Sequence, residues 1–278
     1  MRKLLLRILR ILAISYVSLL LLLRISESKF VFFPDLPGRL DGDWHPAKLP
    51  VQDVWITAYD GTRLQAWWIP NEKAQFTFIA FHGNAGNITG RAFVYKFLND
   101  TPANVLAVEY RGYGKSEGKP SEKDFYRDAR SAYVFLVERQ GIRPETIISF
   151  GQSLGTATAT DLASEEKVGG LVLEAPFPSI AAMAHRQFSY LPGVELLVYG
   201  QMNTKGKIGK VKAPIMVVQC SHDPIIPPAL GQEVYEAAAS PKQLLKFDMS
   251  CHEESSLLAP RRYSAALREF LAGVEASK

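Results

Sequence analysis

Cysteine is nearly missing from this 278-residue chain, which has only Cys220 and Cys251. Two thiols cannot supply the disulfide framework of a small secreted domain or a four-thiolate zinc site. Histidine is also scarce, with five in all, and no histidine and carboxylate cluster falls at metal-ligand spacing, so no resident metal is expected. No glycine-rich dinucleotide fingerprint is present, so no nucleotide cofactor is expected either. Internal repeats and low-complexity linkers are absent as well. Acidic residues are missing from positions 1–23, which carry Arg2, Lys3, Arg7 and Arg10. That local +4 equals the net charge of the whole chain, so the remainder sums to zero. The basic excess therefore speaks for membrane topology and against a nucleic-acid surface.

Leu4 to Leu23 is a run of 20 residues, about 30 Å as a helix, which matches a hydrocarbon core. Arg7 and Arg10 interrupt it near the entry end, where long cationic side chains reach the headgroups. An uncleaved single-pass anchor over residues 1–24 is the leading reading. A cleaved secretory signal and a surface helix are the competing ones, but Arg24-Ile25-Ser26-Glu27-Ser28 offers no A-x-A cleavage pattern. No cysteine follows to take a lipid. The positive residues before the span hold the amino terminus in the cytoplasm and put the rest on the non-cytoplasmic side, with Arg24 and Lys29 as a partial counterweight.

Residues 25–50 read as a Pro-containing, membrane-proximal linker and 51–278 as one domain with a large core. Val51 to Tyr59 and Arg63 to Ile69 form a hairpin pattern turning at Asp60-Gly61. Strands and helices then alternate: Phe76 to Phe81, a helix near Arg91 to Asn99, Val105 to Tyr110, and a helix from Ser121 to about Gln140. Ser121 and Asp124 give that helix a capping-box start. The elbow strand, Leu171 to Glu174, Ile215 to Gln219, Leu244 to Phe247 and a helix around Tyr263 to Val274 complete the series. The expected fold is α/β, a mostly parallel central sheet with helices on both faces.

The strongest motif lies at Ile147 to Ala159, an apolar strand breaking at Gly151-Gln152-Ser153-Leu154-Gly155 into a small-residue helix. Such a G-x-S-x-G elbow lifts a serine hydroxyl clear of its sheet, and its glycines omit β-carbons that would collide across the bend. A serine needs a base and an orienting acid, which on this kind of sheet follow in the order acid, then histidine. Asp223 follows the strand at 215–219 and His252 follows the next one, 70 and then a further 29 residues on, room for the intervening βα units. Among the other histidines, His45 reads as surface, His185 as a pocket-lining candidate, His222 as a turn residue beside Asp223, and His82 as a strand end with a different task. Glu174, Asp248 and Glu253 are the rival acids, and Glu174 is the serious one, being at the end of the preceding strand. An oxyanion would need backbone donors, for which Asn84 in His82-Gly83-Asn84-Ala85-Gly86-Asn87 and Leu154 after the elbow serine are the candidates.

The blocks Phe32-Phe33-Pro34, H-G-N-A-G-N at 82–87, Tyr110-Arg111-Gly112-Tyr113-Gly114-Lys115-Ser116, G-Q-S-L-G at 151–155, Glu174-Ala175-Pro176-Phe177, Asp223-Pro224-Ile225-Ile226-Pro227 and His252 follow one another in order. In this the sequence resembles the α/β-hydrolase family, and within it the small-cap, membrane-anchored serine hydrolases that include esterases and protein depalmitoylases. The resemblance implies Ser153 as nucleophile, His252 as general base and acid, and Asp223 as its partner. The implied substrate is an acyl ester or thioester cleaved without a cofactor; no nucleic-acid partner is implied and oligomeric state is left open. A peptidase of the same fold and an inactive membrane-anchored binding protein are the alternatives; such peptidases usually carry an additional large gating domain, absent here. Cys251 departs from the family pattern, which usually has glycine before the histidine, and Cys220 stands where glycine often precedes the acid turn. If Asp223 and His252 meet, these cysteines end neighbouring strands within reach of a disulfide; two buried free thiols is the competing reading.

The segment between the strands at 171 and 215, about 40 residues, has room for a small lid only. Its Phe177, Phe188, Tyr190, Leu191, Leu196 and Leu197 read as core or as an acyl-binding wall, and Lys205, Lys207, Lys210 and Lys212 as a solvated face or a headgroup-attracting one.

Overall fold

In the computed structural model, residues 2–191, 193, 198, 201–239 and 241–276 are described. Among these residues eight strands form one sheet: β1 (Gln52–Thr57), β2 (Arg63–Ile69), β3 (Phe76–Phe81), β4 (Ala103–Val108), β5 (Ile147–Gln152), β6 (Gly170–Glu174), β7 (Ile215–Cys220) and β8 (Lys242–Phe247). Their spatial order is β1-β2-β4-β3-β5-β6-β7-β8. β2 runs antiparallel to both β1 and β4, and every pairing from β4 to β8 is parallel. Every residue of β3, β5, β6 and β7 is buried, as expected of parallel strands covered on both faces.

The two-residue strand period sorts those side chains into two cores. Ile79, Phe81, Leu171, Leu173, Ile215 and Val217 face one side. There they meet Phe125 and Ala129 of α3 (Glu122–Val134), Ala157 and Leu162 of α4 (Gly155–Glu165), and Val234 of α7 (Pro228–Ala237). Phe78, Ala80, Ile148, Phe150, Val172 and Val218 face the other, against Tyr95 and Leu98 of α2 (Ala92–Asn99). The same side receives α9 (Pro260–Ala276), whose Tyr263, Leu267, Phe270, Leu271 and Val274 repeat at helical spacing on one face. Among the described residues, two shorter helices, α5 (Ile180–Gln187) and α6 (Thr204–Ile208), lie between β6 and β7, and α8 (Ser255–Leu258) precedes α9.

Local chemistry accounts for the boundaries. The Ser121 hydroxyl accepts the Asp124 N–H at the start of α3, the cap expected from the sequence. That helix ends at Val134, and Phe135–Arg139 continues it as a wider π-type turn toward the residue where the sequence reading stopped. β4 begins and ends two residues earlier than expected, leaving Glu109 and Tyr110 in the loop that follows it. Pro260 at the first turn lets α9 start earlier than expected, since proline lacks only an N–H that has no helical partner there.

The amino-terminal helix α1 spans Arg2–Val31, about 45 Å. Its stretch Arg2–Ser26 has a mean hydropathy of 2.1 with none of that window buried, long and apolar enough to cross a membrane. The helix runs on past residue 24, and Phe33 is already bridged to Ala85 of the sheet domain. Between β6 and β7, Phe177 is buried and Tyr190 is exposed, whereas Leu196 and Leu197 lie outside the described residues.

Candidate active site

β5 delivers Ser153 onto a turn where its φ is +49°, left-handed backbone that a side-chain-bearing residue seldom adopts. Neighbouring glycines permit the bend: a β-carbon on Gly151 would overlap the Gly155 carbonyl, and one on Gly155 would overlap the Phe81 carbonyl. The turn is secured from the next strand, since the Ser153 N–H donates to the Glu174 carbonyl at 2.9 Å. α4 begins immediately after and points its amino-terminal dipole at the turn.

Asp223 and His252 come from the ends of β7 and β8 and meet. The His252 Nδ1–H donates to Asp223 Oδ2 at 2.8 Å, while Asp223 Oδ1 accepts the Ile225 and Ile226 N–H groups at 2.8 Å each. With Nδ1 engaged, Nε2 is the nitrogen left for proton transfer. The loops are also joined covalently, because Cys220 and Cys251 form a disulfide with their Cα atoms 5.7 Å apart. In the chain-entropy model closing a loop of this length contributes about 3 to 4 kcal/mol.

Burial, the largest single influence on the His252 imidazole, disfavours its charge. The Asp223 hydrogen bond and the charges of Glu253, Asp223 and Glu254 outweigh it, so its pKa stands above the ordinary 6.5. Glu174, the rival acid, is engaged elsewhere: it accepts from Gln152 Nε2 at 2.8 Å and from the Ser255 hydroxyl. Asp248 is exposed and sits 3.7 Å from His222, itself exposed. His45 and His185 are exposed too.

The loop after β3 is built around buried His82. Its Nδ1–H donates to the Gly83 carbonyl at 2.8 Å, and Nε2 meets Glu109 Oε1 at 3.0 Å. The other Glu109 oxygen accepts the Ile88 N–H, and Tyr110 Oη donates to the His82 carbonyl. A peptide unit is planar, so holding the Gly83 oxygen also sets the direction of the Asn84 N–H. Neither the Asn84 nor the Leu154 N–H has a hydrogen-bond partner among the described residues.

Glu253 gathers these loops. Its carboxylate pairs with Arg91 at 3.0 Å and lies where a β-carbon on Gly83 would be, while Arg91 Nη1 donates to the Ala85 carbonyl at 2.7 Å. Its carbonyl accepts from Gln152 Nε2 at 3.2 Å, tying the elbow to the histidine loop. Sequence reasoning assigned nothing to Glu109, Arg91 or Gln152. Glu109 carried a usable signal, a lone acid directly after an apolar strand at the ligand-binding edge of a parallel sheet; the pairing of Arg91 with Glu253, 162 residues away, carried none.

Glu174 is wholly buried, and burial pushes its carboxyl well above the usual range, with the charge of Glu253 adding to the rise and the Gln152 hydrogen bond opposing it. The folded chain thus holds this proton more tightly than the unfolded one. The stability Glu174 contributes is full below pH 4.5 and falls as pH rises above it. Glu174→Gln, neutral at every pH, is expected to melt above the wild type at pH 8, with the gap closing toward pH 5, in thermal scans followed by circular dichroism.

Among the described residues no group of three or more His, Cys, Asp or Glu could hold a metal ion. The arrangement suits nucleophilic chemistry: a hydroxyl on a strained turn, an imidazole–carboxylate pair on a tethered loop, and two unspent amide donors at one sheet edge.

Comparison with known proteins agrees with that architecture. A family model described as serine aminopeptidase, S33, matches residues 72–192. The Arabidopsis thaliana α/β-hydrolase domain-containing protein WAV2 is 32% identical over 234 residues, 77% of this chain and 76% of that one. The Xenopus laevis α/β-hydrolase domain-containing protein 17B is 30% identical over 207 residues, 72% and 67% of the respective chains. Among solved structures, the Pyrococcus furiosus esterase Pf2001 superposes with a TM-score of 0.71 at 23% identity, over 87% of this chain and 98% of that one, a likeness of fold.

Proposed function

The chain belongs to the α/β-hydrolase family, and from that premise we propose that it is a serine hydrolase cleaving an acyl ester or thioester through an acyl-enzyme. The observation that carries this reading is the 2.8 Å bond from His252 Nδ1 to Asp223, on a loop joined through Glu253 and Gln152 to the serine elbow. Ser153 Oγ attacks the acyl carbon while His252 Nε2 takes its proton. The oxyanion is held by the Asn84 and Leu154 N–H groups. The imidazolium then gives that proton to the leaving alkoxide or thiolate, which departs as the alcohol or thiol, and water repeats the sequence on the acyl-enzyme.

The substrate is a lipid or a lipidated molecule met at a bilayer. α1 supports this, as an anchor whose apolar run matches a hydrocarbon core and whose Arg2, Lys3, Arg7 and Arg10 gather at its amino-terminal end. The Cys220–Cys251 bond supports a catalytic domain on the non-cytoplasmic side, where disulfides persist.

The family description favours one second reading, an aminopeptidase. Full-length protein in detergent, treated with a fluorophosphonate probe and digested for mass spectrometry, is expected to carry the adduct on Ser153. It should hydrolyse acyl p-nitrophenyl esters and acyl thioesters but not aminoacyl anilides. Turnover of anilides in preference to esters would transfer the assignment to the peptidase, and no adduct on folded protein would end the serine-hydrolase reading.

A further inference from the structure

The end of α1 is bonded into the loop that carries the Asn84 donor. Asn84 lies between two peptide planes. The first, Gly83–Asn84, is held at its oxygen by His82 from inside the domain. The second, Asn84–Ala85, is held at its oxygen from outside, by the Phe33 N–H at 2.9 Å and the Tyr113 hydroxyl at 2.9 Å. Phe33 N also lies 3.1 Å from Tyr113 Oη, so the three groups form one cluster, and Phe33 pairs with Ala85 as an isolated parallel bridge. The Asn84 side-chain amide donates to the carbonyl of Val31, the last residue of α1, at 3.3 Å.

A second line of contact runs through rings. Phe32 packs edge-on against Phe125 at 5.1 Å, Phe125 stacks on Tyr110 at 4.0 Å, and Tyr110 holds the His82 carbonyl. Only Phe32 separates the last helical residue from the bridge residue, so no slack linker insulates the loop from α1.

Two planes sharing one Cα define its φ and ψ, and with them the direction of the N–H. We propose that Phe33, with Val31 and Tyr113, positions the oxyanion donor, which makes the exit of the amino-terminal helix part of the catalytic apparatus. This inference rests on the reading of Asn84 as an oxyanion donor. A tether would need none of these bonds, because its ends have only to be connected.

The test uses the full chain in detergent micelles with p-nitrophenyl acetate, a substrate too short and soluble to need a membrane. Phe33→Pro removes the N–H, whereas Phe33→Ala keeps it and removes the ring. A whole oxyanion donor is worth about 10²- to 10³-fold in kcat, so a misaimed one is expected to cost about tenfold. Phe33→Pro should therefore lose about tenfold in kcat with KM within about twofold, and lose affinity for a tetrahedral boronate adduct by the same factor. Phe33→Ala, which keeps the N–H, should lose at least about threefold less than Phe33→Pro in both kcat and boronate affinity, and Tyr113→Phe should fall about threefold in kcat and boronate affinity together.

Equal kcat and boronate affinity in Phe33→Pro and Phe33→Ala would overturn the proposal. Should Phe33→Pro fail to fold, Tyr113→Phe decides, and unchanged values there overturn it. A wild-type chain that neither hydrolyses the ester nor binds boronate overturns this inference and the serine-hydrolase reading together; an active wild type without the Phe33 contrast overturns this inference alone.

Discussion

Ser153→Ala is expected to lower kcat for ester hydrolysis by about 10⁴- to 10⁶-fold while the chain stays folded. The size of the loss follows from the division of labour. Amide donors and substrate binding alone still give some rate over water, whereas removing the nucleophile or its base removes the covalent route altogether. Asp223→Asn should cost about 10⁴-fold, because its side chain no longer fixes the Nδ1–H tautomer of His252 or favours the imidazolium. The pH profile carries a sign of its own. A base works when neutral and the His252 pKa is raised, so the wild-type rate should climb with pH through a midpoint above 6.5. Asp223→Asn removes a hydrogen bond and a charge that favour the protonated ring, so its residual activity should climb at lower pH. Full activity in Ser153→Ala would defeat the assigned nucleophile, and a midpoint that Asp223→Asn leaves in place would detach the carboxylate from the base. Position 153 adds a stability readout. Glycine accepts the φ of +49° freely, so Ser153→Gly should melt above Ser153→Ala by the equivalent of about 1 kcal/mol although both are inactive.

Gly155→Ala should be the most damaging single methyl in the molecule. The added carbon would overlap the Phe81 carbonyl and come within 2.7 Å of the His82 carbonyl oxygen. Both are backbone groups at the end of β3 and cannot swing aside as a side chain does. Relief requires α4 and the β3 loop to separate, at a cost of about 3 kcal/mol or more. That movement pulls the Leu154 amide from the Asn84 amide, so the fraction that remains folded should also lose about 10²- to 10³-fold in kcat. Gly273→Ala is the matched control: nothing lies within 4 Å of its added carbon, and alanine in helix α9 should stabilise by about 0.5 to 1 kcal/mol. Active-site titration with a fluorophosphonate, combined with urea denaturation, separates folded fraction from rate. Normal activity per folded molecule in Gly155→Ala would mean that the close approach of α4 to β3 is not what sets the donors.

The sheet was legible because its central strands are buried on both faces. Phe76 to Phe81 and Ile215 to Gln219 read as mostly apolar runs, broken only by Thr77 and Gln219, with a turn segment after each that contains Gly83 or Asp223. That Ser153, Asp223 and His252 would stand beyond the carboxyl ends of parallel strands was legible from the strand-then-turn pattern before each, although β6 separates β5 from β7 and β8 is a half-exposed edge strand. Pairings between remote segments left no such trace. Phe33 meets Asn84 across 51 residues and Arg91 meets Glu253 across 162, and nothing local to either partner encodes the other. The cysteines lie between these cases. Their departure from glycine was visible and raised both a bond and two free thiols, and the structure joins them where β7 and β8 end. His82 could be set aside as a base from its place before a glycine loop, but its Glu109 partner needed coordinates.

β8, which precedes His252, lies at the margin of the sheet and is held by one neighbour, β7. The proposed chemistry therefore waits on a strand that follows the other seven described strands along the sequence. A ribosome-bound fragment ending before residue 242 would already contain the elbow and the β3 loop yet lack the proposed base, and so is expected to be inert toward acyl groups while still emerging. On the proposed reading, turnover thus reports the seating of β8 against β7.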